Sequence, residues 1–126
     1  MKLNLSLLNE QYVVHRFAPT TKVPLQVFDS SFYSISRTED ELSIVCPASL
    51  QLASDKAETD WSCIKVLGPL DFSLTGILAA ISKVLAEAKI SIFAISTFDT
   101  DYILVKTEKL KDAKGVLEKV GYVFKS

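Results

Sequence analysis

The chain has 126 residues, of which 48% are hydrophobic and 23% charged, so its composition is that of a compact folded protein and excludes disorder. Fourteen basic residues against fifteen acidic ones give a net charge of −1, without the concentrated basic surface that nucleic-acid binding requires. The opening MKLNLSLLNEQ lacks the apolar core of a signal peptide, and no apolar stretch is long enough to cross a membrane. We therefore expect a cytoplasmic protein that binds neither nucleic acid nor membranes.

The first half of the chain is predicted to contain four short strands. They are residues 3–8, 12–17, 32–36 and 42–46. Pro19 and Pro24 bracket a connection in which residues 25–28 leave room for one helical turn. Glu39 and Asp40 form the turn of a hairpin, and the polar segment 48–60 is predicted to be a linker. Residues 3–8 are predicted to replace a missing edge strand.

The second half begins with a strand at 62–67 and the turn Gly68-Pro69. A helix follows, for which Asp71 and Ser73 offer side-chain caps. Its apolar residues recur at steps of three and four, as Leu74, Ile77, Leu78, Ile81, Val84, Leu85 and Ala88. One face of this helix is therefore apolar and is expected to pack on a sheet.

A hairpin and a second helix complete this half. The hairpin consists of residues 90–97 and 102–106, after which Thr107 is predicted to cap a helix that ends at Gly121. Residues 122–124 form a closing strand. The element order β-α-β-β-α-β is that of the ferredoxin-like unit, which has two helices on one face of an antiparallel sheet.

The hairpin is an internal repeat. The segment SFYSISRTEDELSIVC at 31–46 matches SIFAISTFDTDYILVK at 91–106 without a gap. Residues Ser31, Ile35, Ser36 and Val45 recur as Ser91, Ile95, Ser96 and Val105, and Glu39 and Glu41 correspond to Asp99 and Asp101. The strand at 12–17 precedes its counterpart by only fifty residues, so the first copy has shortened helices. The sequence predicts an α+β protein of two ferredoxin-like units, 1–60 and 61–126.

Most of the second half, together with ELSIVCP at 41–47, resembles the ACT domain family, in particular small tandem ACT proteins related to cytosolic arginine sensors. The segments GPLDFSLTG and ISTFDTDYILV carry the likeness by their order and spacing. The resemblance implies two ACT units, regulation without catalysis, a homodimer, and an amino acid or similar small zwitterion bound at an interface between ACT units. A protein interaction module that has lost its ligand is the alternative.

The resemblance implies that the ligand pocket is built from a helix entrance and a strand end. The corresponding residues here are Ser73, Leu74, Thr75, Gly76 and Ile77, together with Thr97, Phe98, Asp99, Thr100 and Asp101. Where arginine sensors have an acidic residue one turn into the helix, this chain has Ala79 and Ala80. The identity of the amino acid is therefore left open.

The chemistry of these residues suits a zwitterion. Free N–H groups at a helix start can bind a carboxylate, and Gly76 would let a ligand approach; alternatively, Gly76 packs the helix on a strand and Asp71 or Ser73 caps it. One carboxylate, for which Asp101 is favoured, would accept the ammonium, with Phe98 as an apolar wall, although aspartates are also ordinary turn residues.

No residue pattern indicates catalysis, a metal or a cofactor. The only histidine, His15, lies on an alternating strand and is predicted to be a structural residue with its hydrogen bonds satisfied. A disulfide, a metal pair or two buried thiols are open to Cys46 and Cys63, and their spacing favours inert thiols. The sequence also lacks a glycine-rich phosphate-binding loop with a partnering arginine and asparagine, so it predicts no enzyme.

Overall fold

A computed structural model of the protein describes residues 3–67 and 76–125. Its strands are β1 (Asn4–Phe17), β2 (Ser34–Arg37), β3 (Leu42–Pro47), β4 (Lys56–Val66), β5 (Ile92–Ser96), β6 (Asp101–Lys106) and β7 (Val123–Lys125), and its α-helices are α1 (Ile77–Glu87) and α2 (Leu110–Lys119). None of the helices in these ranges is both long and apolar enough to cross a membrane. The predicted turn Gly68-Pro69 and the caps Asp71 and Ser73 lie outside the described residues.

The described residues divide into two compact units. The amino-terminal unit is Glu10–Trp61, and the carboxy-terminal unit combines residues 3–9 with 62–67 and 76–125. Strands β1 and β4 each contribute residues to both units. Each unit is described below by itself.

The carboxy-terminal unit has the strand order β7-β1-β4-β6-β5. The Leu67 N–H donates to the Asn4 carbonyl at 3.0 Å, and Leu5 lies opposite Phe124 where β7 runs parallel to β1. A ferredoxin-like sheet has its fourth strand beside its first. Here the beginning of β1 lies between them, so the prediction that residues 3–8 replace an edge strand is wrong. Their alternating leucines give the period of a strand but not its place in the sheet.

The core of the carboxy-terminal unit lies between its sheet and both helices. It contains Leu5, Ile64, Val66, Ile81, Leu85, Ile90, Ile103, Val105, Ala113, Leu117 and Tyr122. Ile77, Leu78, Val84 and Ala88 of the predicted apolar face pack against this core as well. The prediction that this face of α1 packs on a sheet is therefore confirmed, since residues at steps of three and four share one side of a helix.

The second helix does not begin as predicted. A short 3₁₀ helix, Thr107–Lys109, precedes α2, and no described side chain caps either element. The Thr107 hydroxyl instead lies 2.9 Å from the Ser62 hydroxyl, and Ser62 is only 5% exposed. Thr107 thus pairs with a buried hydroxyl on β4, a tertiary contact that local spacing cannot reveal.

Both α-helices end in the same way. The Lys89 and Ile90 N–H groups donate to the Ala86 and Leu85 carbonyls, both at 2.9 Å, as in a Schellman motif. Gly121 and Tyr122 repeat these bonds to Glu118 and Leu117 at the end of α2. The motif requires a left-handed residue, which is a glycine at one end but Lys89, with φ 62, at the other.

Replacing Lys89 with glycine should therefore stabilise the protein. We expect the free energy of unfolding to rise by about 0.5 to 1 kcal/mol, because glycine adopts the left-handed conformation without a Cβ clash and loses only part of that gain as unfolded-chain entropy. The urea midpoint measures the change. Gly121→Ala is the matched control and should destabilise, since Gly121 has φ 108. A lower midpoint for Lys89→Gly would contradict this account.

The amino-terminal unit has the strand order β2-β3-β1-β4. With 10–17 of β1 counted as its first strand and 56–61 of β4 as its fourth, this is the ferredoxin-like order. The only helix within Glu10–Trp61 is the 3₁₀ helix Leu25–Asp29, near the predicted helical turn. The predicted α+β fold with shortened helices in the first unit is confirmed.

The predicted linker 48–60 is wrong at its end. Residues 56–60 belong to β4, where the Asp55 N–H donates to the Arg16 carbonyl at 3.0 Å and fixes the strand beside β1. All five of these side chains are exposed, so they lack the apolar alternation by which a half-buried strand is detected. Residues 48–55 remain a connection.

Candidate functional site

Two of the predicted helix-entrance residues are described. Gly76 is the N-cap of α1, and its carbonyl accepts the first helical hydrogen bond, from the Ala80 N–H at 2.8 Å. Within 3–67 and 76–125 no side chain caps this end, and the first turn of α1 contains no acidic residue. The N–H groups that follow Gly76, beginning with that of Ile77, therefore have no partner within the helix. Ser73, Leu74 and Thr75 lie outside the described residues.

Gly76 is required for its backbone conformation. Its φ is 78°, in the left-handed region, and a Cβ at this position would have no described atom within 4 Å. The alternative prediction, in which Gly76 packs the helix against a strand, is therefore wrong. An L-residue here would be strained by its own backbone although no described atom lies where its Cβ would be.

The other predicted site residues form the turn between β5 and β6. The Thr97 N–H donates to the Thr100 carbonyl at 2.8 Å, which leaves Phe98 and Asp99 as a two-residue loop. Phe98 is 78% exposed, and Asp99 is exposed with a carboxylate that bonds to no residue in the described ranges. Asp99 therefore offers a solvent-facing negative charge at the tip of the turn.

Thr100 fixes the turn to the sheet. Its side chain is 6% exposed, and its hydroxyl donates to the Val66 carbonyl at the end of β4. The Thr97 hydroxyl is used within the turn, where it donates to the Thr100 carbonyl at 2.9 Å. Neither hydroxyl is therefore free for a ligand in this conformation. The sequence did not indicate the role of Val66, because Val66 acts through its backbone carbonyl, which every residue has.

Asp101 is partly buried at the start of β6, and its carboxylate accepts a hydrogen bond from the Ser96 hydroxyl on β5. Ser96 lies directly opposite Asp101 in the hairpin. Asp101, the aspartate favoured from the sequence, is thus already hydrogen-bonded within the hairpin. Ser96 was not among the predicted residues, although its recurrence in both copies could have drawn attention to it.

The hairpins of the two units share one turn. Thr38 and Glu41 repeat the backbone bond of Thr97 and Thr100, at 2.9 Å, and the Thr38 hydroxyl accepts the Asp40 and Glu41 N–H groups at 3.1 Å. Asp40 therefore corresponds to Asp99.

Equivalent residues of the two turns differ in number by fifty-nine, whereas the sequence repeat pairs residues that differ by sixty. Ile35 lies opposite Ile44, but Ile95 lies opposite Tyr102, whereas the sixty-residue offset would require Leu104. The sequence pairing of Asp101 with Glu41, on which the preference for Asp101 rested, is therefore wrong. The turn threonine sets the register of each hairpin, because its hydroxyl forms hydrogen bonds with backbone groups of the turn.

The topology brings the helix entrance and the turn to one end of the carboxy-terminal unit. Ser62 contacts Thr107 and Val66 contacts Thr100, so β4 runs antiparallel to β6 and therefore parallel to β5. Helix α1 connects the end of β4 to the beginning of β5, so it must start at the end of the sheet where the β5–β6 turn lies. An anion at the helix start and a cation near Asp99 would therefore lie at the same end of the sheet.

The cysteines and the histidine lie in buried positions. Cys46 and Cys63 are free, and burial raises the pKa of their thiols to about 11 and about 12. His15 is 5% exposed; its Nδ1 bonds to Ser54, but its Nε2 has no partner in 3–67 or 76–125. The predicted structural histidine is thus buried, but the prediction that its hydrogen bonds are satisfied is wrong for Nε2 among the described residues.

Comparisons with known proteins agree with this architecture. A family model described as the ACT domain matches residues 56–119, and a second model, for an amino-terminal domain, matches residues 10–50. The human "Cytosolic arginine sensor for mTORC1 subunit 1" is 35% identical over 98 residues, which are 71% of this chain and 30% of the relative, and the bovine protein gives the same values. The chain thus spans about 30% of the length of these curated relatives.

Solved structures extend the likeness to nearly the whole chain. A crystal structure of a protein from Agrobacterium tumefaciens is 34% identical with a TM-score of 0.92, and the match covers 99% of this chain and 93% of that one. The ligand-free regulatory subunit of aspartate kinase from Thermus thermophilus has a TM-score of 0.68 at 10% identity, with 96% and 99% covered, which shows a shared fold alone.

The strand order and the hairpin turns define an α+β protein of two ferredoxin-like units. With the match over 56–119, the chain belongs to the ACT domain family. The likeness inferred from GPLDFSLTG and ISTFDTDYILV is thereby confirmed.

Proposed function

We propose that this protein is a non-catalytic regulatory protein that binds a free amino acid through its carboxy-terminal unit. The observation that carries the proposal is the 35% identity over 98 residues with proteins named cytosolic arginine sensors. Arginine itself is not specified, because the first turn of α1 has no acidic residue to meet a guanidinium. We further propose that the protein acts in the cytoplasm as a homodimer. Ligand binding at an interface between ACT units stays a prediction.

The proposed binding mode has two charged poles. The N–H groups at the start of α1, after Gly76, bind the α-carboxylate, with Ser73, Leu74 and Thr75 contributing as the resemblance implies. A carboxylate of the β5–β6 turn accepts the ammonium group. Asp99 is the better placed acceptor, because it is exposed and bonds to no described residue, whereas Asp101 already accepts the Ser96 hydroxyl.

A thermal-shift screen of the full chain against the twenty free amino acids tests this proposal. A ligand at a hundred times its Kd adds about 2.7 kcal/mol to the free energy of unfolding and should raise Tm by several degrees. We expect at least one amino acid to do so. If none of the twenty changes Tm, the proposal fails.

Variants assign the two poles once a hit is found. Asp99→Asn should abolish the Tm shift, while Gly76→Asn should only weaken it, since asparagine tolerates the left-handed conformation of Gly76. Asp101→Asn should leave most of the shift. Asp40→Asn is the matched control, because Asp40 occupies the equivalent turn position in the amino-terminal unit, and it should change nothing. A full shift in Asp99→Asn would remove the turn from the site.

A protein interaction module remains the second candidate, favoured by exposed apolar side chains on the amino-terminal unit. Leu25 is 73% exposed, and Phe28 and Tyr33, whose rings stack edge to face at 5.8 Å, are 49% and 36% exposed. Apolar clusters of this kind often mark contact surfaces. A flat amino-acid screen would favour this candidate.

A further inference from the structure

His15 lies with its ring inside the core of the amino-terminal unit. It is 5% exposed and lies opposite Ile44 of β3. Because alternate residues of a strand share a face, Val13 and Phe17 flank it on the same side of β1. The Phe17 ring lies 6.0 Å from the imidazole, centroid to centroid. The surroundings of the ring are therefore largely apolar.

In the part of the chain that the structure describes, one nitrogen of this ring has a hydrogen-bond partner and the other has none. Nδ1 lies 2.8 Å from the Ser54 hydroxyl oxygen, whereas Nε2 is buried without a partner among residues 3–67 and 76–125. We assign the proton of the neutral ring to Nδ1, which donates to Ser54, because a buried N–H without an acceptor is rarer than an unused acceptor. Protonation would place an N–H and a positive charge where Nε2 is now bare.

Ser54 belongs to a segment that covers this core. Residues 48–55 run from β3 to β4, and Leu50 and Leu52 pack against the cluster of Phe17, Val27, Leu42, Ile44 and Cys46. The ends of the segment are held by the Ala48 N–H, which donates to Gln11 at 2.8 Å, and by the Asp55 N–H. Apart from these end bonds and one turn bond, from the Leu50 N–H to the Pro47 carbonyl at 3.1 Å, the segment is in neither a helix nor a strand and is held by a few side-chain contacts.

The charged groups nearby give an imidazolium no counter-ion. The titratable groups on the elements of this unit that surround the ring are Glu10, Tyr12 and Arg16 on β1, Arg37 on β2, Cys46 on β3, Lys56, Glu58 and Asp60 on β4, Asp55 in the segment, Lys22 before the 3₁₀ helix and Asp29 at its end. Arg16 pairs with Asp55 at 3.8 Å, and the register set by their backbone bond places Lys56 opposite His15. No described carboxylate pairs with the ring, and burial lowers the pKa of His15.

We propose that His15 and Ser54 form an acid-sensitive latch, in which proton uptake from solvent at Nε2 releases residues 48–55 from the core of the amino-terminal unit. In the closed form the ring stays neutral. In the open form Nε2 is hydrated and can take up the proton without burying its charge.

The direction of the pH dependence follows from this geometry. The open form binds a proton with the ordinary pKa of about 6.5, while the closed form binds it only at lower pH. The free-energy difference that favours the closed form is therefore at its full value above pH 6.5 and decreases as the pH falls. Between pH 7.5 and 5.5 the opening equilibrium should shift about tenfold.

Hydrogen exchange of the full chain, with rates corrected for intrinsic pH dependence, tests the latch. The Ala48 and Asp55 amides should lose about tenfold protection between pH 7.5 and 5.5. The Ile90 and Tyr122 amides, which are bonded at the helix ends of the carboxy-terminal unit, serve as internal controls and should not change. Unchanged protection of Ala48 and Asp55, or equal loss at all four amides, would overturn the proposal.

Three variants separate the latch from other titrations. His15→Asn keeps a donor for Ser54 but cannot take up the proton, so it should abolish the pH dependence. Ser54→Ala should lower protection by about fivefold at both pH values and keep the slope. Asp55→Asn, which removes the carboxylate of the residue after Ser54, should also keep the slope. Persistence of the pH dependence in His15→Asn, or its loss in Asp55→Asn, would assign the effect to another group.

The wild-type chain supplies a second test that does not depend on any variant folding. His15 is the only histidine, so its ring signals are unambiguous in a nitrogen-correlated NMR spectrum. We expect the Nδ1–H tautomer at pH 7.5 and an apparent pKa below 6.5. An Nε2–H tautomer, or an apparent pKa above 6.5, would contradict the latch.

Discussion

Replacing Leu5 with alanine is expected to lower the free energy of unfolding by about 2 to 5 kcal/mol. Leu5 is fully buried in the core of the carboxy-terminal unit and lies opposite Phe124, on the part of β1 that lies between β7 and β4. Alanine at this position removes most of the side chain and leaves a cavity in the core, beside a strand that is paired on both edges. Equilibrium urea unfolding monitored by circular dichroism measures the loss.

Leu7 provides the matched control for Leu5. It is the same residue type on the same strand, two positions further along, and it is 39% exposed. Leu7→Ala should therefore cost less than about 1 kcal/mol. Equal losses for Leu5→Ala and Leu7→Ala would mean that the beginning of β1 does not lie inside the sheet.

The same argument applies to residues 61–126, predicted from the sequence as a complete ACT unit. This fragment contains β5, β6, β7 and all of the part of β4 that belongs to this unit, but not the strand that lies between β7 and β4. Without residues 3–9, β7 loses its pairing partner and Leu5 leaves a gap in the core. We expect the fragment alone to be largely unfolded.

Thr100→Val is expected to cost about 1 to 3 kcal/mol. Valine has the shape of threonine, but it cannot donate to the Val66 carbonyl, which the Thr100 hydroxyl meets at a site only 6% exposed. The change therefore leaves a buried acceptor without that donor at the end of β4. Urea unfolding gives the size of the loss.

Thr97→Val is the control for this change. Among the described residues, the Thr97 hydroxyl bonds only to the Thr100 backbone within its own exposed turn, so its loss should cost less than about 1 kcal/mol. If the amino-acid site includes this turn, Thr100→Val should also weaken any ligand-induced rise in Tm. A neutral Thr100→Val would show that water replaces the hydroxyl and that the turn is not fixed through it.

Sequence periodicity predicted the parts of the fold whose partners are near in the chain. The apolar face of α1 and both hairpins follow from local patterns, since their contacts repeat at fixed spacing. The place of residues 3–8 inside the sheet could not be predicted, because pairing with β7 joins opposite ends of the chain. The exposed residues 56–60 include one apolar residue, Ala57, and show no apolar alternation, and were therefore missed as a strand.

The candidate site was predictable to a similar degree. The sequence identified the turn 97–101 and Gly76, and the topology explains why they lie at one end of the sheet. It could not distinguish Asp99 from Asp101, because the difference lies in the Ser96 hydroxyl opposite Asp101. It also placed the repeat one residue away from the true correspondence of the turns, since identities in the strands concealed the register that Thr38 and Thr97 impose.

The two long strands have a practical consequence. A protease that cuts the 48–55 segment separates β1, β2 and β3 from β4 and everything after it, yet each unit needs strands from both pieces. The two pieces would therefore stay associated after cleavage, and neither could fold without the other. Expressed as separate polypeptides, they would form the basis of a split reporter whose signal depends on reassociation.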